Sequence, residues 1–186
     1  GVTGEVHLTG NTVIDALLAV AGQKPACPIA GLEWDRYRVL LATVHRRENW
    51  GEPLTDIITS FEQILAEFPD TALLLPLHRN PTVREPIQQR LGEHPRVFLT
   101  EPLDYGQLVG AIQRCYLLLT DSGGLQEEAP SLGKPVLVLR LINRWLMLLT
   151  PLETERPAIV LLKSLVIIFA SRKPTMIPNC RLKTLV

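Results

Sequence analysis

An α/β fold built on a doubly wound parallel sheet is predicted by two features of the sequence. Short apolar runs alternate with amphipathic helical stretches between residues 37 and 139, the pattern of repeated βαβ units. The most polar and least periodic segments, 45–51, 78–81 and 121–124, each follow an apolar run directly. Those positions are the carboxyl ends of the strands, where sheets of this kind take their ligands.

The elements follow in order. Residues 5–9 (EVHLT) alternate apolar and polar and predict a short strand, which Gly10, Asn11 and Thr12 break. Val13, Ile14, Leu17, Leu18 and Ala21 recur at helical spacing, so 12–21 is predicted as an amphipathic helix. Residues 22–36 contain Gly22, Pro25, Pro28 and Gly31 and are predicted as a loop or linker. A buried strand is expected at 37–43. Pro53 then starts a helix to about 67, with Leu54, Ile57, Ile58, Phe61, Ile64 and Leu65 on one face. Further strands are expected at 71–77, 96–99, 116–119 and 135–139. The helices between them are expected at 81–91, 104–114 (Leu108, Val109 and Ile112 inward) and 123–132. Right-handed crossovers would place helices on both faces of the sheet.

Composition narrows the function. Lys plus Arg and Asp plus Glu both number 19, so the formal net charge is zero and the basic excess expected of a nucleic-acid or membrane-surface protein is missing. Cys27, Cys115 and Cys180 lie far apart, with no CxxC pair and no metal-ligand spacing. A reduced, cytoplasmic chain without a metal is the simple expectation. The first residue is Gly1, so the sequence is read as starting inside a longer or processed protein.

Two segments carry chemistry. Thr120-Asp121-Ser122-Gly123-Gly124 joins a strand to a helix. The paired glycines allow a tight turn and close approach of a ligand, and the first N–H groups of the helix attract negative charge. A diphosphate suits that turn, with Ser122 adding a hydroxyl; an ordinary N-cap by Asp121 or Ser122 suits it as well. One turn on, Glu127 and Glu128 could accept the hydroxyls of a ribose or form a solvated helix face. The second segment, His45-Arg46-Arg47-Glu48-Asn49, places two arginines and a histidine at a strand end. This suits a phosphate or sugar site with a proton-relaying imidazole, or a solvated loop with an Arg47–Glu48 pair. His78-Arg79-Asn80-Pro81 is a weaker version of the same idea, and Asn80-Pro81 is also a common helix start.

Five strings occur in one order: HLTGNTVIDALL (7–18), TVHRRENWG (43–51), LHRNP (77–81), EPLDY (101–105) and TDSGGLQEEAPSLGKPVLVLR (120–140). Together they resemble the non-hydrolysing UDP-N-acetylglucosamine 2-epimerases over residues 1–140. The resemblance implies the carboxyl-terminal of two Rossmann-like domains in the GT-B arrangement, with the site in the cleft between them. The implied reaction interconverts UDP-N-acetylglucosamine and UDP-N-acetylmannosamine by elimination and re-addition of UDP, for surface polysaccharide synthesis. It needs no metal and no nicotinamide, and members are commonly homodimers.

The resemblance also assigns roles. Ser122, Gly123 and Gly124 would bind the pyrophosphate, and Glu128 the ribose hydroxyls. His45 would lie beside the diphosphate and assist departure and return of UDP. Arg46 and His78 match contacts of an allosteric UDP-N-acetylglucosamine site found in some members. Uracil would lie near EPLDY, with Leu108 close by. The acidic residues that handle the C2 proton belong to the family's first domain, which is not represented in this sequence, so UDP binding is the expected capacity of this chain. Hydrolysing 2-epimerases, GT-B glycosyltransferases and a non-catalytic nucleotide-binding remnant are the alternatives.

Beyond 140 the family pattern changes. Residues 141–152 intervene before Glu153-Thr154-Glu155-Arg156-Pro157-Ala158. Either this is an insertion, with Glu155 and Arg156 still beside UDP, or the frame is disrupted. No acidic residue follows Glu155, and Pro174 and Pro178 interrupt the apolar tail. Residues 141–186 are therefore expected to form an atypical, poorly ordered tail, distinct from the domain at 1–140.

Overall fold

The computed structural model describes residues 3–7 and 9–139. The chain forms α1 (Thr12–Gly22), β1 (Arg38–Thr43), a 3-10 turn (Arg47–Asn49), α2 (Glu52–Glu67), β2 (Thr71–Pro76), α3 (Pro81–Leu91), β3 (Val97–Thr100), α4 (Tyr105–Arg114), β4 (Leu117–Thr120), α5 (Leu125–Ser131) and β5 (Val136–Val138). The expected boundaries from 37 onward hold to within two residues at each end. The tail expectations for 141–186, Arg156 included, lie outside the described residues.

All five strands pair in parallel, in the order β3-β2-β1-β4-β5. Side-chain alternation splits the sheet into two apolar faces. Leu40, Ala42, Leu73, Leu75, Leu117 and Leu119 face α2 and α3, where Leu54, Ile58, Phe61, Ile64, Val83 and Ile87 cover them. Val39, Leu41, Ala72, Leu74 and Leu118 face α4 and α5, against Ala111, Ile112, Leu125 and Ala129. Each fully buried Leu, Ile or Phe contributes about 1.5–3 kcal/mol by leaving water. This two-sided burial is why the strands read as nearly continuous apolar runs.

Helix starts follow their sequence signals. Asn80 Oδ1 accepts from Thr82 N at 3.0 Å, and Pro81 opens α3 where its missing N–H costs nothing. Asp104 and Gln107 form a reciprocal capping box at the start of α4. Residues 23–36 form neither helix nor strand, as expected, yet they belong to the core: Cys27 and Leu32 are buried under the α4 face. Gly110 makes this possible. A Cβ there would lie 2.4 Å from the Pro25 carbonyl oxygen, so only glycine lets that loop backbone lie on α4.

At the amino-terminal end the helix expected at 12–21 forms as α1, and one expectation fails. No strand forms among the described residues of 5–9. Alternation gives a strand only where a neighbouring strand completes its hydrogen bonds; no strand of the sheet pairs with this stretch, and the chain turns through positive φ at Gly4 and Gly10 on either side. In α1, Leu17 and Ala21 pack against Val109 of α4, but Val13 and Leu18 are 45% and 49% exposed. Its apolar stripe is wider than the surface α4 and α5 offer.

Candidate ligand site at the strand ends

β1 leads through α2 to β2 on one side, whereas β3 leads through α4 to β4 on the other side of β1. The connections diverge at the carboxyl ends of β1 and β4, the switch point at which sheets of this kind take their ligands. The register aligns Thr43 with Thr120 there. Their hydroxyl oxygens lie 2.6 Å apart, and Thr120 Oγ1 also accepts from Ser122 N at 3.0 Å. The next residues on the two strands are thereby set against each other.

Asp121 is the centre of this arrangement, and it is fully buried. Its Oδ2 accepts three hydrogen bonds, from His45 N at 2.9 Å, Arg46 N at 2.8 Å and Asn49 Nδ2 at 2.9 Å. Its Oδ1 lies 2.7 Å from His45 Nδ1. Asn49, 1% exposed, also donates to Leu139 O at 2.9 Å and so ties the loop after β1 to the end of β5. A carboxylate without such donors would not stay ionised and buried. The sequence points to Asp121 only as a possible cap, but α5 takes Gly124 as its N-cap residue with no side-chain cap bond. Asp121 instead organises the loop across the switch point. Asn49, which carries no assigned role at the sequence level, is its partner. The one sequence signal for either is that both are polar residues in the segments that follow buried strands.

The expected residues are distributed as follows. His45 is 43% exposed as a side chain. Arg46 pairs with Glu48, Nη1 to Oε1 at 3.2 Å, and Arg47 lies over the Trp50 ring, 6.0 Å from its centroid. Ser122, Gly123 and Gly124 lead from β4 into α5, with both glycines exposed. Glu128 folds back toward them: a Cβ on Gly124 would sit 3.3 Å from its Oε1. Partial burial, with Glu127 next to it, raises the Glu128 pKa above the ordinary glutamate value. Tyr105, at the start of α4 in the EPLDY string, has its phenol pKa raised by burial and secondarily by Glu128. Leu108 is only partly buried, against the α4 side of the core. His78 follows β2, one strand away from His45; its Nδ1 accepts from Asn80 N at 3.2 Å, so it shapes the start of α3 and is not drawn into the Asp121 cluster.

Among the described residues, no group of three or more His, Cys, Asp or Glu side chains is placed to hold a metal ion, and no helix is long and apolar enough to cross a membrane. Cys27 and Cys115 are free and buried, and burial pushes the Cys115 thiol up to about 12.

A five-stranded parallel sheet with helices on both faces and a glycine turn at its switch point defines a Rossmann-like α/β domain. The sequence profile described as UDP-N-acetylglucosamine 2-epimerase matches residues 2–169, and the chain belongs to that family. The UDP-N-acetylglucosamine 2-epimerase of Bacillus subtilis is 43% identical over 135 residues, covering 73% of this chain and 35% of the relative. The crystal structure of UDP-GlcNAc 2-epimerase from Neisseria meningitidis bound to UDP-GlcNAc superposes with a TM-score of 0.73 at 36% identity, covering 88% of this chain and 47% of that one. The S. aureus MnaA–UDP co-structure gives a TM-score of 0.67 at 44% identity over 72% of this chain and 36% of that one. The chain thus spans less than half the length of each of these relatives.

Proposed function

We propose that this domain binds the UDP portion of UDP-N-acetylglucosamine and serves, within a complete 2-epimerase, the interconversion of that nucleotide sugar with UDP-N-acetylmannosamine. The observation that carries the reading is the meeting of the His45 loop and the Ser122-Gly123-Gly124 turn at the switch point, joined through Asp121. The exposed glycines leave room for a diphosphate against the backbone N–H groups that open α5. Glu128, folded back on Gly124, would accept the two ribose hydroxyls. His45 would lie beside the diphosphate, where it can give a proton to the departing UDP and recover it on return. Arg46 and His78 would serve a second, regulatory nucleotide-sugar site, and Arg156 would join the UDP contacts. The two buried free thiols support a reducing, cytoplasmic setting.

Calorimetric titration of the purified chain with UDP at fixed salt tests the reading. Saturable binding is expected, and Gly123→Val, which fills the space of the diphosphate, is expected to abolish it while leaving the circular dichroism spectrum unchanged. A folded wild-type chain that takes up no UDP overturns the proposal.

A further inference from the structure

We propose that Asp121 is a positioning residue that holds His45 in the Nδ1–H form, so that Nε2 is the only ring nitrogen through which a proton passes to a ligand. The proposal rests on the nucleotide-binding reading above for its ligand, and on the Asp121 cluster for its geometry.

The two oxygens of Asp121 have different duties. Three N–H donors converge on Oδ2, two of them backbone groups of the loop and one the Asn49 amide. The backbone donors cannot rotate away. The Asn49 amide is itself oriented, because its nitrogen also donates to Leu139 O. The carboxylate is therefore fixed in rotation, with its buried Oδ1 in close ion-pair contact with the imidazole, 2.7 Å from Nδ1, though not in an aligned hydrogen bond. An unprotonated Nδ1 would set its lone pair against an anionic oxygen at that distance, so Nδ1 carries the proton. The remaining nitrogen, Nε2, belongs to a side chain 43% exposed at the switch point, whereas Asp121 is wholly buried.

The chemical consequence is a one-sided relay. When Nε2–H of the imidazolium gives its proton to a phosphate oxygen, the product is the neutral Nδ1–H imidazole, still held by Asp121. Return of the proton to Nε2 restores the starting state, and the ring need not turn in either direction.

The Asp121→Asn variant supplies a sharp test because its amide can sit only one way. The three donors still require an acceptor at the Oδ2 position, so the amide oxygen stays there and the NH2 faces His45. Nδ1 must then accept, and the proton moves to Nε2. Nitrogen NMR of the imidazoles of the 186-residue chain, at about pH 8 where an ordinary histidine is neutral, reads the tautomer directly, with His45 assigned by loss of its signals in His45→Gln. The wild type is expected to show Nδ1 protonated, and Asp121→Asn to show the inverted pattern. Nε2–H in the wild type, or an unchanged tautomer in Asp121→Asn, overturns the proposal. Should the variant fail to fold, the wild-type spectrum alone decides. UDP titration of the same samples separates the two readings: an Nδ1–H wild type that binds no UDP keeps Asp121 in its role and removes the nucleotide, and a UDP-binding wild type in the Nε2–H form does the reverse.

Discussion

Asn11 Nδ2 donates to Glu127 Oε2 at 2.6 Å across 116 residues of sequence. The same side chain caps α1, its Oδ1 accepting from Val13 N at 3.1 Å. One residue thus starts α1 and fastens it to the first turn of α5, beside the proposed ribose contact. The two duties can be separated. Asn11→Asp keeps the cap but opposes Glu127 with a second carboxylate, and Asn11→Ala loses both. Asn11→Ala is expected to cost about 1–2 kcal/mol in urea unfolding. Asn11→Asp should also be destabilised at neutral pH and recover as the carboxylates protonate in acid. An Asn11→Asp chain as stable as wild type at neutral pH would show that the link to Glu127 contributes nothing.

Glu128 gives UDP binding a pH dependence of known sign. Burial, then Glu127, raises its pKa, and only the ionised form accepts both ribose hydroxyls. Its share of UDP affinity is therefore expected to fall as pH drops through a point above the ordinary glutamate range. The sign for folding is opposite. A raised carboxyl pKa means the native state binds more protons than the unfolded one in that window, so Glu128 lowers stability as pH rises through it. Glu128→Gln should be at least as stable as wild type at neutral pH, bind UDP more weakly, and lose this part of the pH profile. Glu128→Ala should weaken UDP more than free pyrophosphate; equal losses would remove the ribose assignment.

Gly110→Ala tests the seating of the 23–37 loop on α4. The added methyl would meet the Pro25 carbonyl oxygen at 2.4 Å, and a backbone atom cannot step aside as a side-chain tip would. A loss of about 1–3 kcal/mol is expected, the range of overpacked core sites. A stability equal to wild type in denaturant titration would mean that the loop does not rest on α4 in solution.

Arg38 and Asp70 form a hydrogen-bonded ion pair at 2.6 Å, and that hydrogen bond holds the Asp70 carboxyl below its usual range. A depressed carboxyl pKa stabilises the fold above the unfolded-state value, and the contribution disappears as pH falls through the folded value. Asp70 is 58% exposed, so the gain is expected to be only about 0.5–1 kcal/mol. Asp70→Asn should show that deficit at pH 7 and none in strong acid. A deficit that persists in acid would mean that the aspartate acts through the chain turn and not through charge.

The layered fold was legible from local pattern because the central strands β1, β2 and β4 are buried on two faces and the helices on one. A buried strand such as Leu117–Thr120 must be apolar throughout, and an amphipathic helix such as Glu52–Glu67 must repeat its apolar face; both demands are written into neighbouring residues. The strand at 5–9 was misread for the complementary reason. Alternation is a local property, whereas a strand exists only with a partner, and the sheet supplies none to that stretch.

The site divides along the same line. The glycine turn at 123–124 and the histidine loop at 45–49 are visible in the sequence, because each is a polar break after an apolar run. Their connection is not. His45 and Asp121 are 76 residues apart, and Asn49 and Asp121 are 72 apart. They meet only because β1 and β4 became neighbours in parallel register. Sequence pattern names the strand ends at which a ligand can bind. Strand order decides which two ends share a buried carboxylate, because that contact depends on which strands lie side by side and not on the residues that flank either one.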